Sequence, residues 1–167
     1  MNLLKTGLLA MAFICLVTSC QKDEGVAPEE INYSIDLNLA QETDWVMAEE
    51  ILDLINAHRR SIGLSDIKKD QQYASAYAVD HTQYMIDIEQ INHDNFGIRS
   101  QALKQRGAQV VGENVAYGYE TAASVVSAWL NSESHRTIIE GNYTHSGFGV
   151  MQSDKGRYYF TQLFYRK

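Results

Sequence analysis

Residues 158–165 read Tyr158-Tyr159-Phe160-Thr161-Gln162-Leu163-Phe164-Tyr165 near the end of the chain. Successive side chains of a β-strand point to opposite faces of the sheet, and here both faces are apolar or aromatic. One face carries Tyr158, Phe160 and Phe164, and the other carries Tyr159, Leu163 and Tyr165. A strand without a polar face is typical of a sheet that is covered on both sides, so this segment predicts helices packed against both faces of a small sheet.

The segments before this strand predict its neighbours. Apolar residues at 148–151 and a turn signal at 153–156 predict a hairpin with it. Further back, 110–117 has the pattern of a strand interrupted by Gly112, and 34–39 alternates weakly, which favours a short strand or an edge segment. We therefore expect a small, mainly antiparallel sheet.

Helical periodicity dominates the earlier part of the chain. We predict helices over 47–62, 73–85 and 98–105, a fourth helix capped by Thr121, and a short turn over 135–140. Gly63 and Gly107 are suited to end the first and third helices. Helices early and antiparallel strands late predict an α+β fold, a three-layer α-β-α sandwich around the sheet.

The N-terminus predicts export. A charged start is followed by an apolar run too short for a permanent membrane span, and then by Thr18-Ser19-Cys20, which resembles the lipobox of bacterial lipoproteins. We predict a lipoprotein signal peptide over 1–19, lipid attachment at Cys20, a lipid-anchored tether over 20–43 and a folded domain over 44–167. An ordinary signal peptide with an incidental cysteine is the alternative.

Charge and cysteine content narrow the partners. The formal net charge of −7 argues against nucleic acid or an anionic membrane surface as the main partner, so the predicted membrane contact is the lipid at Cys20. The acidic stretch 21–24 resembles a surface-export tag of Gram-negative lipoproteins, which predicts an outer-membrane or cell-surface location, and a plain solvated linker is the alternative. Residues 21–167 contain no cysteine, so the domain must be stabilised by its core.

Four stretches match one known pattern in order and spacing. They are Asn92-His93-Asp94, Gly112-Glu113-Asn114-Val115-Ala116, Trp129-Leu130-Asn131-Ser132-Glu133-Ser134-His135-Arg136 and Tyr143-Thr144-His145-Ser146-Gly147-Phe148-Gly149-Val150. Together they resemble the bacterial form of the CAP superfamily, which comprises cysteine-rich secretory proteins, antigen 5 and pathogenesis-related class 1 proteins with an SCP domain. The resemblance covers nearly the whole predicted domain and implies the same three-layer fold.

In the CAP superfamily, two histidines and two glutamates line a central cleft. The resemblance places His93, Glu113 and His135 at three of these positions. The fourth differs, because Ser132 stands where animal and plant members carry a glutamate, and Glu133 is the nearest carboxylate. The expected cleft residues are His93, Glu113, Asn114, Ser132 and His135.

Three kinds of chemistry are open to these residues. Two histidines and one carboxylate are a ligand set for zinc or another divalent metal, with His93 and His135 as the metal-binding pair. The same groups suit proton transfer, with Glu113 setting the tautomer of a histidine of near-neutral pKa. They also suit a structural role, in which the buried groups and Asn114 hydrogen-bond a loop to the sheet.

Other side chains have simpler explanations. His58 and His81 lie on apolar helix faces, which predicts core or boundary histidines. His145 lies at the entrance to a strand, where a solvent-facing turn residue is expected and a place at the cleft rim is the alternative. Ser132 would be the nucleophile of a hydrolase triad with His135 and Glu113. A serine after a helix end, however, is usually a cap for the next turn.

The resemblance also implies a function. CAP proteins are mostly secreted and are linked to lipid or sterol binding, defence and interaction. The chain is thus expected to be an extracytoplasmic binding module whose cleft takes a small ligand, lipid, glycan fragment, divalent metal or partner protein. The first alternative is a metal-assisted or acid–base hydrolase of peptide or envelope polymer that uses His93, Glu113 and His135. The second is a non-catalytic interaction protein at the cell surface.

Overall fold

The computed structural model describes residues 34–167. The signal peptide predicted over 1–19, the lipid attachment predicted at Cys20 and the first part of the predicted tether lie outside the described residues. Within 34–167, no helix has both the length and the apolar character that crossing a bilayer requires.

The described residues form a 3₁₀ helix, five α-helices and four β-strands. The helices are the 3₁₀ helix Leu37–Glu42, α1 (Trp45–Ser61), α2 (Tyr73–Asp87), α3 (Phe96–Gln105), α4 (Ala122–Asn131) and α5 (Glu133–Ile139). The strands are β1 (Lys68–Lys69), β2 (Val110–Tyr117), β3 (His145–Gln152) and β4 (Tyr158–Arg166). The helix ends predicted at Gly63 and Gly107 are confirmed, since these glycines follow α1 and α3 with φ angles of 80° and 94°.

The four strands form one sheet in the order β1-β3-β4-β2. β4 pairs antiparallel with β3 and with β2, and the short β1 is parallel to β3, so the prediction of a small, mainly antiparallel sheet is confirmed. In this register Glu113 on β2 lies opposite Leu163 on β4. β2 is continuous through Gly112, so the predicted interruption is wrong; the missing side chain leaves room for the Tyr143 ring.

Helices cover both faces of the sheet, as the two apolar faces of β4 predict. Phe160 and Phe164 pack on one face with buried residues of α1 and α4, among them Ile51, Val125 and Trp129. Leu163 and Tyr165 pack on the other face with buried residues of α2 and α3, among them Ala74 and Leu103. The three-layer α-β-α sandwich is therefore confirmed.

Two glycines of β3 let α2 lie directly on the sheet. A Cβ atom on Gly147 would overlap the backbone of Ala74, and one on Gly149 would overlap the backbone of Ala78. One turn further along α2, the buried Thr82 hydroxyl hydrogen-bonds the Thr161 hydroxyl of β4 at 2.8 Å. Larger residues at the two glycine positions would keep α2 at a greater distance from the sheet.

The short strand predicted within 34–39 is wrong. The chain forms the 3₁₀ helix there, because the Asp36 carboxylate accepts the N–H of Asn38 at 2.9 Å and caps its first turn. The helix packs against α2 with Ala40 buried. The segment 37–42, which we assigned to the tether, therefore lies on the domain.

We predict that Gly149→Ala destabilises the domain by about 2–3 kcal/mol, because the new methyl group must push α2 away from the sheet. Gly97→Ala is the matched control. Nothing lies within 4 Å of a Cβ atom at Gly97 in α3, and alanine is the better helix former by up to about 1 kcal/mol. Urea unfolding followed by circular dichroism measures both variants. Equal midpoints for Gly149→Ala and the parent would contradict the close approach of α2.

Candidate functional site

A buried ion pair between Glu113 and Arg99 lies beside His93 and holds it in place. The Glu113 side chain on β2 is 1% exposed, and its partner Arg99 on α3 is 5% exposed. Arg99 Nε donates to Glu113 Oε2 at 2.7 Å, and Arg99 Nη2 donates to Oε1 at 2.9 Å. Burial by itself raises the pKa of Glu113, but the hydrogen bonds from His93 and Arg99 outweigh it and lower the pKa, so the carboxylate stays ionised.

His93 is held by the same carboxylate. Its Nδ1 lies 2.8 Å from Glu113 Oε1 and donates the proton, since an ionised carboxylate can only accept. The His93 side chain is 52% exposed. The carboxylate therefore selects the tautomer whose Nε2 carries a lone pair, available for a proton, a hydrogen bond or a metal ion.

The loop that carries His93 is anchored by two helices. His81 on α2 places its Nε2 at 2.9 Å from the Asn92 carbonyl, which makes that nitrogen the donor. Arg99 on α3 donates Nη1 to the Asp94 carbonyl at 2.7 Å. Burial lowers the pKa of His81, and the Arg99 charge lowers it further, so the His81 ring is neutral at pH 7. The backbone on both sides of His93 is therefore held in place by hydrogen bonds from His81 and Arg99.

His135 reaches the site from the first turn of α5. Its Nδ1 lies 2.8 Å from Ser132 Oγ, and the buried Asn114 donates Nδ2 to its carbonyl at 3.2 Å. Burial lowers the pKa of His135, and the nearby His93 lowers it further. His135 is therefore neutral at pH 7, and the two imidazoles are close enough to influence each other electrostatically.

His93 and His135 line one open cleft of about 520 Å³. Ser132 lies beside them, and the rest of the wall is largely apolar or aromatic: Ile91, Val115, Ala116, Tyr117, Tyr119, Ala128 and Trp129. Glu113 and Asn114 lie behind this wall, where they hold the two histidines. The structure thus brings the five predicted cleft residues together, three in the wall and two as supports. We name this cavity the histidine cleft.

Residues 52–164 match the cysteine-rich secretory protein family, CAP. The chain belongs to the CAP family. Although the family is described as cysteine-rich, residues 34–167 of this member contain no cysteine. This CAP domain is therefore stabilised by the packing of helices on the two faces of its sheet and by buried polar pairs.

Three bacterial proteins are similar to this CAP domain. The uncharacterized membrane protein YlbC of Bacillus subtilis is 35% identical over 124 residues, which are 71% of this chain and 34% of that protein. An extracellular protein of Bacillus anthracis that contains an SCP domain has a solved structure with a TM-score of 0.59 and 32% identity over 71% of this chain and 40% of that chain. An outer surface protein of Borrelia burgdorferi shares the fold, with a TM-score of 0.66 and 21% identity over 73% of this chain and 93% of that chain. The chain spans well under half the length of the two Bacillus proteins.

The hydrolase triad considered from the sequence is not assembled in the CAP domain. Ser132 hydrogen-bonds His135, but the Glu113 carboxylate is bonded to His93 instead. Ser132 occupies the N-cap position of α5, as predicted, but its hydroxyl bonds His135 and makes no capping bond to the helix backbone. Glu133 is exposed and does not line the histidine cleft, so Ser132 takes the fourth position.

The donor set for a metal is smaller than the sequence predicts. No group of three or more His, Cys, Asp or Glu side chains within 34–167 is arranged to hold a metal ion. Glu113 is not a ligand in this arrangement, because Arg99 occupies both of its oxygens. His93 and His135 remain, each with Nδ1 bonded to the protein. As donor types they suit a two-histidine site with a carboxylate that orients one ligand, and their number falls short of the three protein ligands of catalytic zinc sites.

The remaining histidines do not line the histidine cleft. His58 is partly buried and bonds Glu140 at 2.9 Å, and His81 is 2% exposed, which confirms a boundary and a core histidine. The prediction of His145 in a solvent-facing turn is wrong. It begins β3, where its ring stacks on Tyr165 with centroids 5.1 Å apart.

Arg99 is the supporting residue that the sequence did not reveal. An arginine at a helical position, outside any motif, has the same local pattern as one on a solvated helix face. The available signal was Glu113 itself, a carboxylate within the apolar strand 110–117, because a buried carboxylate requires a partner. The buried carboxylate therefore predicts a cationic partner, but the sequence does not identify which basic residue of the chain it is.

We predict that Arg99→Met destabilises the CAP domain by about 3–5 kcal/mol at pH 7, because the buried Glu113 carboxylate loses its charge partner and keeps only the hydrogen bond from His93. The loss should shrink on acidification. The lowered pKa of Glu113 stabilises the parent above the unfolded carboxyl pKa of about 4.3, and this stabilisation disappears as pH falls through the folded pKa. In the variant, the carboxyl has lost the Arg99 charge and protonates more easily.

Arg60→Met is the matched control, because it removes an exposed ion pair with Asp66 and should cost less than about 1 kcal/mol. Chemical denaturation between pH 4 and pH 8 measures both variants. A pH-independent loss for Arg99→Met, no larger than that of the control, would show that the ion pair does not support the site.

Proposed function

We propose that this protein is an exported, lipid-anchored CAP module whose histidine cleft binds a small ligand through His93 and His135. One observation carries the proposal: both imidazoles line the same open cavity, and each has its Nδ1 held by a protein partner. Oriented polar groups in a largely apolar concave wall are typical of ligand sites. A purely structural role would not require an opening of this size.

The side chains of the histidine cleft indicate which functional groups its ligand carries. In the tautomer that donates Nδ1–H to Glu113, His93 presents an Nε2 lone pair and therefore takes a hydroxyl, an N–H group or a cation. Tyr117 and Tyr119 supply aromatic surface along the same wall. Such rings pack against the apolar body of a sugar or a lipid. We therefore expect a hydroxyl-bearing glycan or lipid fragment as the ligand.

A divalent metal is the second occupant that the donors suit. His93 and His135 would hold it, and Glu113 would keep the His93 ring in the ligating tautomer. When bound, the ion would act as a Lewis acid on an oxygen atom of the ligand. With two protein ligands we expect weaker binding than in zinc sites with three or four.

The way the polar groups are paired favours binding over hydrolysis by a serine triad. In a serine hydrolase, one histidine bonds both the nucleophile and the carboxylate. Here the serine bonds His135 and the carboxylate bonds His93. No single histidine within 34–167 therefore connects Ser132 to Glu113.

Export and anchoring rest on the sequence and on the relatives. Thr18-Ser19-Cys20 follows an apolar run in the order expected of a lipoprotein signal. Two proteins of similar structure are described as an outer surface protein and an extracellular protein. These names support a location outside the cytoplasm, with the lipid on Cys20 as the proposed anchor.

Zinc titration by isothermal calorimetry tests the cleft. We expect saturable binding to the parent, a loss of at least about tenfold in affinity for His93→Ala with His135→Ala, and a loss of about tenfold for Glu113→Gln, which removes the charge that orients His93 and pairs with Arg99. His58→Ala is the control, because His58 bonds Glu140 and does not line the histidine cleft. Equal affinity of the parent and the double variant would remove the metal from this proposal.

Mass spectrometry of the protein recovered from a bacterial host tests the anchor. We expect the parent to begin at Cys20 with acyl chains and to sediment with membranes. Cys20→Ala should lack the acyl mass and leave the membrane fraction, because the lipid on Cys20 is the proposed attachment to the membrane. An unmodified parent would refute lipidation.

A further inference from the structure

A second cavity gathers basic side chains from four separate segments. It has a volume of about 350 Å³ and is lined by Lys69 of β1, Arg106 after α3, His145 of β3 and Lys167 after β4, together with Tyr73 and Tyr165. We name it the basic pocket. None of its lining residues lines the histidine cleft. Positive groups meet here in a chain whose net charge is −7.

Two of these cations, Arg106 and Lys167, form no salt bridge with a carboxylate of the described residues. Among the described residues, no Asp or Glu lies within salt-bridge distance of Arg106 or Lys167, whereas Lys69 already pairs with Glu49. The Arg106 guanidinium lies over the Tyr73 ring, 3.7 Å from its centroid. Stacking on an aromatic face leaves the N–H edge of a guanidinium open to an acceptor.

The ammonium of Lys167 is the second available charge. Its backbone N–H donates to Thr144 Oγ1 at 3.2 Å, which ties the residue to the sheet, and its Nζ lies 5.9 Å from the Tyr165 ring centroid. His145 stacks on the same tyrosine. Burial lowers the pKa of His145, and the charges of Lys167 and Lys68 lower it further, so the imidazole experiences a positive field.

Asp70 is the acidic side chain that lines the basic pocket, and its oxygens are occupied. Oδ1 accepts the N–H groups of Gln72 and Tyr73, each at 3.0 Å. Oδ2 accepts the N–H of Ala74 at 3.2 Å and the hydroxyl of Tyr165 at 2.8 Å. Asp70 therefore caps α2 and positions the Tyr165 ring, and among the described residues it forms no salt bridge with Arg106 or Lys167.

We infer that the basic pocket binds a phosphoryl or sulfate oxyanion through the Arg106 guanidinium and the Lys167 ammonium. A tetrahedral oxyanion accepts two parallel N–H bonds from a guanidinium and a further bond from an ammonium. A cation at the end of α3 is also favoured by the helix dipole. That effect explains Arg106 alone and does not account for Lys167 beside the same cavity.

Titration of the full chain with inorganic phosphate, at constant ionic strength set by chloride, tests this inference. We expect saturable chemical-shift changes in the ¹H–¹⁵N spectrum at the amides of Gln71, Gln72, Arg106 and Lys167. Arg106→Gln should weaken phosphate binding by about tenfold, the effect of losing charge-assisted hydrogen bonds to an anion. Glycerol 3-phosphate distinguishes the sources: shifts at the same amides indicate a phosphoryl group on a larger molecule, and their absence indicates the free anion.

Two further variants separate a specific site from general charge. Lys104→Gln removes one cation from the same end of α3 without touching the basic pocket, and should bind phosphate within about twofold of the parent. Lys167→Gln should weaken binding several-fold, and it also serves if Arg106→Gln fails to fold. Shifts that rise linearly with phosphate, or equal binding by all three variants and the parent, would overturn the inference.

Discussion

The CAP domain is organised around one buried negative charge. The Glu113 carboxylate lies inside β2, and an ionised carboxylate in an apolar interior is tolerated only when its oxygens are paired. Arg99 of α3 and His93 of the preceding loop supply those partners. A strand, a helix and a loop are thus tied together, and the bond that satisfies Glu113 also selects the tautomer of His93.

Close packing on the sheet supports the same loop from another direction. Gly147 and Gly149 allow α2 to lie against β3, and α2 carries His81, which donates to the Asn92 carbonyl. The opposite wall of the histidine cleft depends on Asn114, whose amide holds the backbone of His135. A domain without cysteine thus positions two histidines by charge pairing, by close backbone contact and by buried hydrogen bonds.

The histidine cleft and the basic pocket offer ligands opposite kinds of contact. The cleft presents two imidazoles in an aromatic and apolar wall, which suits hydroxyl groups, apolar surface and soft cations. The basic pocket presents permanent cations, which suit oxyanions. Because the two cavities share no lining residue, a molecule bound in one is not excluded from the other by direct competition.

Some properties of this protein were determined by the sequence alone. The two apolar faces of 158–165 require cover on both sides, and Gly63 and Gly107 tolerate the positive φ that ends a helix, so the layers and the helix ends follow from local chemistry. The order of the motifs identified His93, Glu113 and His135. The tertiary structure decided which side chains are partners. Glu113 bonds Arg99 and His93. Ser132 bonds His135, and His145 stacks on Tyr165. The physical reason is that a side-chain type states how many charges and hydrogen bonds must be satisfied, whereas only the packed chain determines which distant group lies within about 3 Å to satisfy them.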